Sequence, residues 1–225
     1  MNAIKKEFDP FTISLMGSMP RSNIVLEAKR NIKNSKISQQ EYNDIIFEET
    51  KKIVDLQVDA GVDIITNGEL DRDNYISFVS EKVNGIKIMT NEEIIDFSVK
   101  RNREGFEESL IERDADTANI KNPIVHDKID TDATLEYDSM LSLKRITDLP
   151  IKATLPSPYL LTRTTWLTGV SDLVYSSREE LGKDIVTLIS NEVKRLIDLG
   201  VAVIQLDDPI LAEIVLADDE DETFY

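Results

Sequence analysis

Cysteine is absent from the sequence, and histidine occurs once, at His126. These absences exclude a disulfide framework, a thiolate nucleophile, a cysteine-based zinc site and a cluster of imidazole ligands. A metal held by these residues alone would need oxygen donors. Positive charge is scarce: 26 Lys and Arg stand against 43 Asp and Glu, for a formal charge of −17. That balance repels a phosphate backbone, and no stripe of Lys and Arg with interleaved aromatics offsets it, so nucleic acid is not an expected partner. No stretch approaches the roughly 18 uninterrupted apolar residues of a membrane span, and Met1 to Pro10 lacks the apolar segment of a secretory signal. A cytoplasmic location is the expectation. Gly-x-Gly-x-x-Gly, a phosphate-cradling Gly-Lys-Ser/Thr loop and a Gly-x-Ser-x-Gly elbow are also missing, which removes the usual support for a nucleotide kinase or a serine hydrolase.

What is present is a helix-then-strand unit that occurs twice. With 225 residues, 41% of them hydrophobic, one sizeable core is expected, with room for an insertion. Ser38 and Glu41 have capping-box spacing, in which hydroxyl and carboxylate each satisfy a free backbone N–H at a helix start. Tyr42, Ile45, Ile46, Ile53, Leu56 and Ala60 then recur at helical spacing until Gly61, which can end the helix in the left-handed conformation. The β-branched segment Val62 to Thr66 follows as a strand. The second copy starts at Ser177 with Glu180, carries Leu181, Ile185, Leu188, Ile189, Leu196 and Leu199 to Gly200, and leads into a strand at Val201 to Gln205. Helices alternating with strands imply a parallel sheet. Two further strands are predicted at 11–16 and 151–155, each running into turn chemistry at Gly17-Ser18 and Pro156-Ser157-Pro158. The four strands are expected to lie as parallel neighbours.

The stretch from about 84 to 148 reads differently, as an insertion between these strands. Short strands are predicted at 85–89 and 94–99, then polar residues with Asn122-Pro123, and a helix from about Thr134 to Arg145.

In parallel α/β folds the strand C-terminal ends and the loops after them form the ligand site. That rule selects Gly17-Ser18, the segment Gly68 to Arg72 with Glu69, Pro156 to Pro158, and Asp207-Asp208-Pro209. Glu69 and Asp208 occupy equivalent places in the two repeated units, giving an acidic rim suited to an ammonium group or a cation. Taken singly, each carboxylate has a plainer reading, as a cap for the next helix or a solvated charge. His126 reads as a surface residue and Asp218 to Glu222 as a solvated acidic run. Trp166, the single Trp, offers either a stacking surface or a packing residue.

These rim segments carry a resemblance. Met16-Gly-Ser-Met-Pro-Arg21, Gln57 to Arg72 with its Asn-Gly-Glu, Leu155-Pro-Ser-Pro158, and Gly200 to Glu213 with its Asp-Asp-Pro resemble, in order, the catalytic domain of cobalamin-independent methionine synthase. The resemblance implies a (β/α)₈ TIM-type barrel that moves a methyl group from a methylfolate to the zinc-bound thiolate of homocysteine. It implies that Gly17, Ser18, Glu69 and Asp207 hold the amino-acid end of homocysteine, where carboxylates suit its ammonium group. Glu213 and Trp166 match positions on the methyl-donor side.

The sequence departs from the family in two respects. Asp208 stands where the family usually has Glu, one methylene longer. The family's zinc ligands, one His, two Cys and a Glu, lie beyond the Asp-Glu-Pro-like motif and have no counterpart here. The expectation is therefore the N-terminal part of the barrel, of the short stand-alone form, without the C-terminal half and inactive in transfer by itself. Two alternatives share the same residues: an enzyme like coenzyme M transferases acting on another thiol, and a non-catalytic module whose acidic rim holds an amine or a partner.

Overall fold

Two long helices, each leading into parallel strand pairing, carry the architecture. The structure, a computed structural model, describes residues 8–73, 76–90, 93 and 121–211. In chain order the elements are α1 (Asn23–Lys33), α2 (Gln39–Asp59), α3 (Phe78–Lys82), β1 (Ile86–Thr90), β2 (Lys121–Val125), α4 (Tyr137–Leu143), β3 (Lys152–Pro156), α5 (Pro158–Thr165), a 3-10 turn at Ser171–Leu173, α6 (Arg178–Leu199) and β4 (Val203–Asp207). The described residues form two compact units. The first holds 8–73, 136–155 and 192–205; the second holds 76–90, 93, 121–135, 156–191 and 206–211.

In the first unit, α2 begins where the capping box places it. Ser38 accepts from the Glu41 N–H, the Glu41 carboxylate accepts from the Ser38 N–H at 2.7 Å, and Gly61 follows at φ +76. The α1 helix has no counterpart in the sequence reading. Ser22 caps it, accepting from Val25 N–H at 3.2 Å, and the helix buries Val25 and Ala28.

The predicted strand neighbours appear in the predicted order. Ser14 bridges Ile64 and Ile65 bridges Ile151, both in parallel. Strands β3 and β4 share a sheet, with Ala202 N–H bonded to Ile151 at one end and Ser157 N–H bonded to Asp207 at the other, so they run the same way. Segments 11–16 and 62–66 reach only single bridges. The Ile13 N–H is taken by the Asp63 carboxylate at 2.8 Å, and Asp63 and Ile64 N–H groups both go to the Ile13 carbonyl, so the ladder stops after one rung. Phe11, at φ +67 and almost fully exposed, has left the extended conformation.

All five residues of β3 are buried, as expected for a parallel strand covered on both faces. Its Lys152 is satisfied internally by Gln205 Oε1 at 2.8 Å and by the Leu15 carbonyl. Ile65, Met140, Leu143, Ile151, Leu155 and Leu196 fill the core of this unit.

In the second unit, β1 and β2 form an antiparallel pair from Ile86 opposite Val125 to Thr90 opposite Lys121. The segment with Asn122-Pro123, expected as a polar connection, is therefore a strand. Pro123 sits opposite Ile88, and a two-stranded ribbon tolerates it because each strand has a free edge. The other strand predicted in this region, 94–99, lies outside the described residues. The helix expected over 134–145 is shorter, at Tyr137–Leu143, and belongs to the first unit. Met89, Ile124 and Val170 pack together with Leu167 beside them.

The α6 helix ends as predicted, with Gly200 at φ +85. Its start is also the predicted one, directly after Ser177, and only the reciprocal bond of the capping box differs. Ser177 accepts from the Glu180 N–H, but the Glu180 carboxylate reaches the Ser176 N–H at 2.7 Å and the Ser176 hydroxyl at 2.6 Å. These bonds, with Lys128, pull the Glu180 pKa down to about 2. Among the described residues no helix is long and apolar enough to cross a membrane.

Candidate functional site

The loop after Thr66 turns on two successive left-handed residues, Gly68 at φ +71 and Glu69 at φ +53. Gly68 adopts this region freely, whereas a glutamate there is strained and must be held. The Asn67 side chain accepts the Glu69 N–H at 3.0 Å. Arg21 clamps the loop from outside, donating to the Glu69 carbonyl at 3.1 Å, the Leu70 carbonyl at 3.3 Å and the Arg72 carbonyl at 2.5 Å.

This turn brings the Glu69 carboxylate beside Gly17. The Thr154 hydroxyl donates to Glu69 Oε1 at 2.7 Å, and an Arg72 nitrogen lies 3.5 Å from the same oxygen. A Cβ at Gly17 would stand 2.2 Å from Oε1, so glycine is required for the approach. Thr66 Oγ1 donates to the Gly17 carbonyl at 3.2 Å, and Met19 N–H bonds the Gly68 carbonyl at 2.9 Å, tying the two loops together. Ser18 follows Gly17 at the exposed side of this contact.

Beneath Glu69 lies a buried polar network. Arg72, 2% exposed, donates through Nε to Glu136 Oε1 at 3.1 Å and through Nη2 to the Thr154 carbonyl at 2.6 Å. Burial works against the Arg72 charge, but the carboxylates of Glu136 and Glu69 outweigh it and raise its pKa. Glu136 and Glu192 are both fully buried. Asn67 donates to Glu136 at 3.4 Å; Glu192 accepts from the Glu136 and Tyr137 N–H groups at 2.6 and 2.8 Å and pairs with Arg195 at 3.4 Å. This arrangement fixes one guanidinium against two carboxylates, and Glu69 is the member nearest the loops.

Asp207 and Asp208 belong to the second unit. Ser157 caps α5, accepting from Leu160 N–H at 3.0 Å, and donates its own proton to Asp208 Oδ2 at 2.6 Å. Asp208 Oδ1 is buried with no hydrogen-bond partner. The Asp207 carbonyl accepts from Ser157 N–H at 2.9 Å. Trp166 is half-buried at the end of α5, its indole N–H 3.4 Å from Thr168 Oγ1. Glu213 and the acidic run Asp218 to Glu222 lie outside the described residues. His126 is exposed.

The structure thus joins Gly17 to Glu69, a contact between residues 52 positions apart that chain direction made expected. Sequence reasoning did not find Thr154, Glu136, Glu192 or the clamping role of Arg21. Arg21 and Arg72 sit inside the quoted motifs, so their presence was visible though their partners were not. Glu136 and Glu192 carry no local signal that separates them from surface acids.

The sequence profile described as the cobalamin-independent synthase catalytic domain matches residues 11–225. The 5-methyltetrahydropteroyltriglutamate–homocysteine methyltransferase of Thermotoga petrophila is 25% identical over 203 residues, covering 90% of this chain and 24% of that protein. The protein of the same name from Thermodesulfovibrio yellowstonii is 26% identical over 213 residues, covering 95% and 25%. The chain therefore spans about a quarter of the length of these relatives. Two solved structures share the fold. A vitamin-B12-independent methionine synthase from Listeria monocytogenes aligns with 97% of this chain and 58% of its own at TM-score 0.66 and 21% identity. A B12-independent methionine synthase from a Shewanella species, in complex with selenomethionine, aligns with 77% and 44% at TM-score 0.56 and 23% identity.

Proposed function

Because this chain belongs to the cobalamin-independent synthase family through a catalytic-domain match over residues 11–225, we propose that it is part of a (β/α)₈ methyltransferase barrel that binds homocysteine. Gly17, Ser18, Glu69 and Asp207 are assigned to the amino-acid end of the substrate. The observation that carries this reading is the Glu69 carboxylate, held at a strained turn against a glycine that leaves it no neighbour to yield to. Thr154 and Arg72 both meet Oε1. That leaves Oε2 for an ammonium group, which a charge-assisted hydrogen bond would bind with defined direction. Strain kept at such a turn is the expected mark of a preorganised ligand group.

Trp166 and Glu213 are assigned to the side of the methyl donor, a methylfolate such as the names of the relatives specify. Zinc, which the family resemblance implies, does not fit the residues described: among them no group of three or more His, Cys, Asp or Glu side chains is placed to hold a metal, and the sequence has no Cys. The role assigned to these residues is binding and orienting the amino acid.

Calorimetric titration of L-homocysteine into the wild-type chain and into Glu69→Gln tests the assignment. Loss of the ammonium partner is expected to weaken binding at least tenfold, or about 1.4 kcal/mol. Equal affinity of the two proteins would remove Glu69 from the site.

A further inference from the structure

A cleft of about 720 Å³ opens between α5 and the first turns of α6 in the second unit. Arg163 lines it from α5, and Arg178 and Lys183 line it from α6, against a single carboxylate, Glu179. In a chain with a formal charge of −17, three cations around one opening run against the composition. The nearby acids are engaged elsewhere. Glu180 is held by Ser176 and Lys128, Asp184 accepts from the Tyr175 hydroxyl at 2.9 Å, and the Ser177 hydroxyl keeps the Glu179 carboxyl below its usual range.

Arg163 is the decisive residue. Its guanidinium lies over the Tyr159 ring, 5.7 Å from the centroid, and its Nη2 is buried with no hydrogen-bond partner. A charged donor withdrawn from water without an acceptor is costly, and such groups in folded proteins call for an explanation. Turned toward the cleft that this residue lines, the guanidinium would find its acceptor in a bound oxyanion. Gly182 widens the opening, since a Cβ there would meet only Thr162, at 3.7 Å. Tyr159 and Val186 provide apolar surface for a carbon skeleton.

We propose that this cleft binds a small organic polyanion carrying two or more carboxylate or phosphate groups, one accepting from Arg163 and another held between Arg178 and Lys183. A guanidinium gives a paired donor edge to one oxyanion, while the lysine adds a mobile point charge for the next. The site stands apart from the homocysteine reading and uses none of its residues.

Citrate, a tricarboxylate, and inorganic phosphate, a single oxyanion, are the probes. Isothermal titration with each, at low salt and at higher salt, is expected to show one citrate per chain, bound at least tenfold more tightly than phosphate and weakened by salt. Arg163→Gln and Lys183→Gln are each expected to weaken citrate binding at least fivefold. Should Arg163→Gln fail to fold by circular dichroism, Lys183→Gln carries the test, because that lysine is exposed and packs little. Citrate that does not bind at millimolar concentration, phosphate that binds as tightly as citrate, or unchanged affinity in Lys183→Gln would each overturn the proposal.

Discussion

Gly17 and Glu69 meet so closely that a β-carbon on the glycine would stand 2.2 Å from the carboxylate Oε1. The neighbouring Thr154 Cγ2 would be 3.1 Å away, so the added methyl has no free direction. Gly17→Ala is expected to push the Glu69 carboxylate off Thr154 and lower stability by about 1–3 kcal/mol, as overpacking a tight site does. The same variant should weaken homocysteine binding at least tenfold. Urea unfolding and calorimetry read the two effects separately, and an alanine variant with wild-type values in both would show that the contact is slack.

Arg72, itself almost fully buried, neutralises two carboxylates. Arg72→Met leaves Glu136, fully buried, without its cation, and removal of one partner from a buried pair costs roughly 3–5 kcal/mol. Adding Glu136→Gln removes the uncompensated charge and should return part of that loss. If the double variant were no more stable than Arg72→Met in urea, the two residues would not be coupled as the geometry states.

Asp73 responds to acid. Hydrogen bonding from Lys33 and then Lys29 pulls its pKa to about 2 from the usual 3.8. A depressed folded-state pKa contributes stability that is present above the unfolded value near 3.8 and is lost as pH falls through about 2. The side chain is 40% exposed, so solvent screening keeps the contribution within about 1 kcal/mol. Asp73→Asn is expected to flatten the stability profile between about pH 4 and 2, and high salt should shrink the wild-type difference. An unchanged acid limb in the variant would exclude this triad as its source.

The capping box of α2 gives the simplest test. Ser38→Ala deprives the Glu41 N–H of its acceptor and should cost about 1 kcal/mol, within the 0.5–2 found for such caps. Ser38→Gly should cost only a few tenths, because water can then reach the free N–H. Thermal unfolding of both variants distinguishes a cap from a mere surface serine, which would show no such ordering.

Local chemistry made much of the frame readable in the amino-acid sequence. Caps, helical spacing and terminating glycines act within a few residues, so α2 and α6, the strands after them and their parallel order follow from short segments such as Ser38 to Thr66. The loops at Gly17, Glu69 and Asp207 were marked by strand direction alone. Tertiary structure decided what lies at long separation. Whether Ser14 forms a ladder or one rung depended on the Asp63 carboxylate, and whether Pro123 enters a strand depended on Ile88 across the ribbon. Glu136 and Glu192 read as ordinary acids until folding buries them against Arg72 and Arg195, because the free energy of a charge is set by surroundings that the rest of the chain supplies.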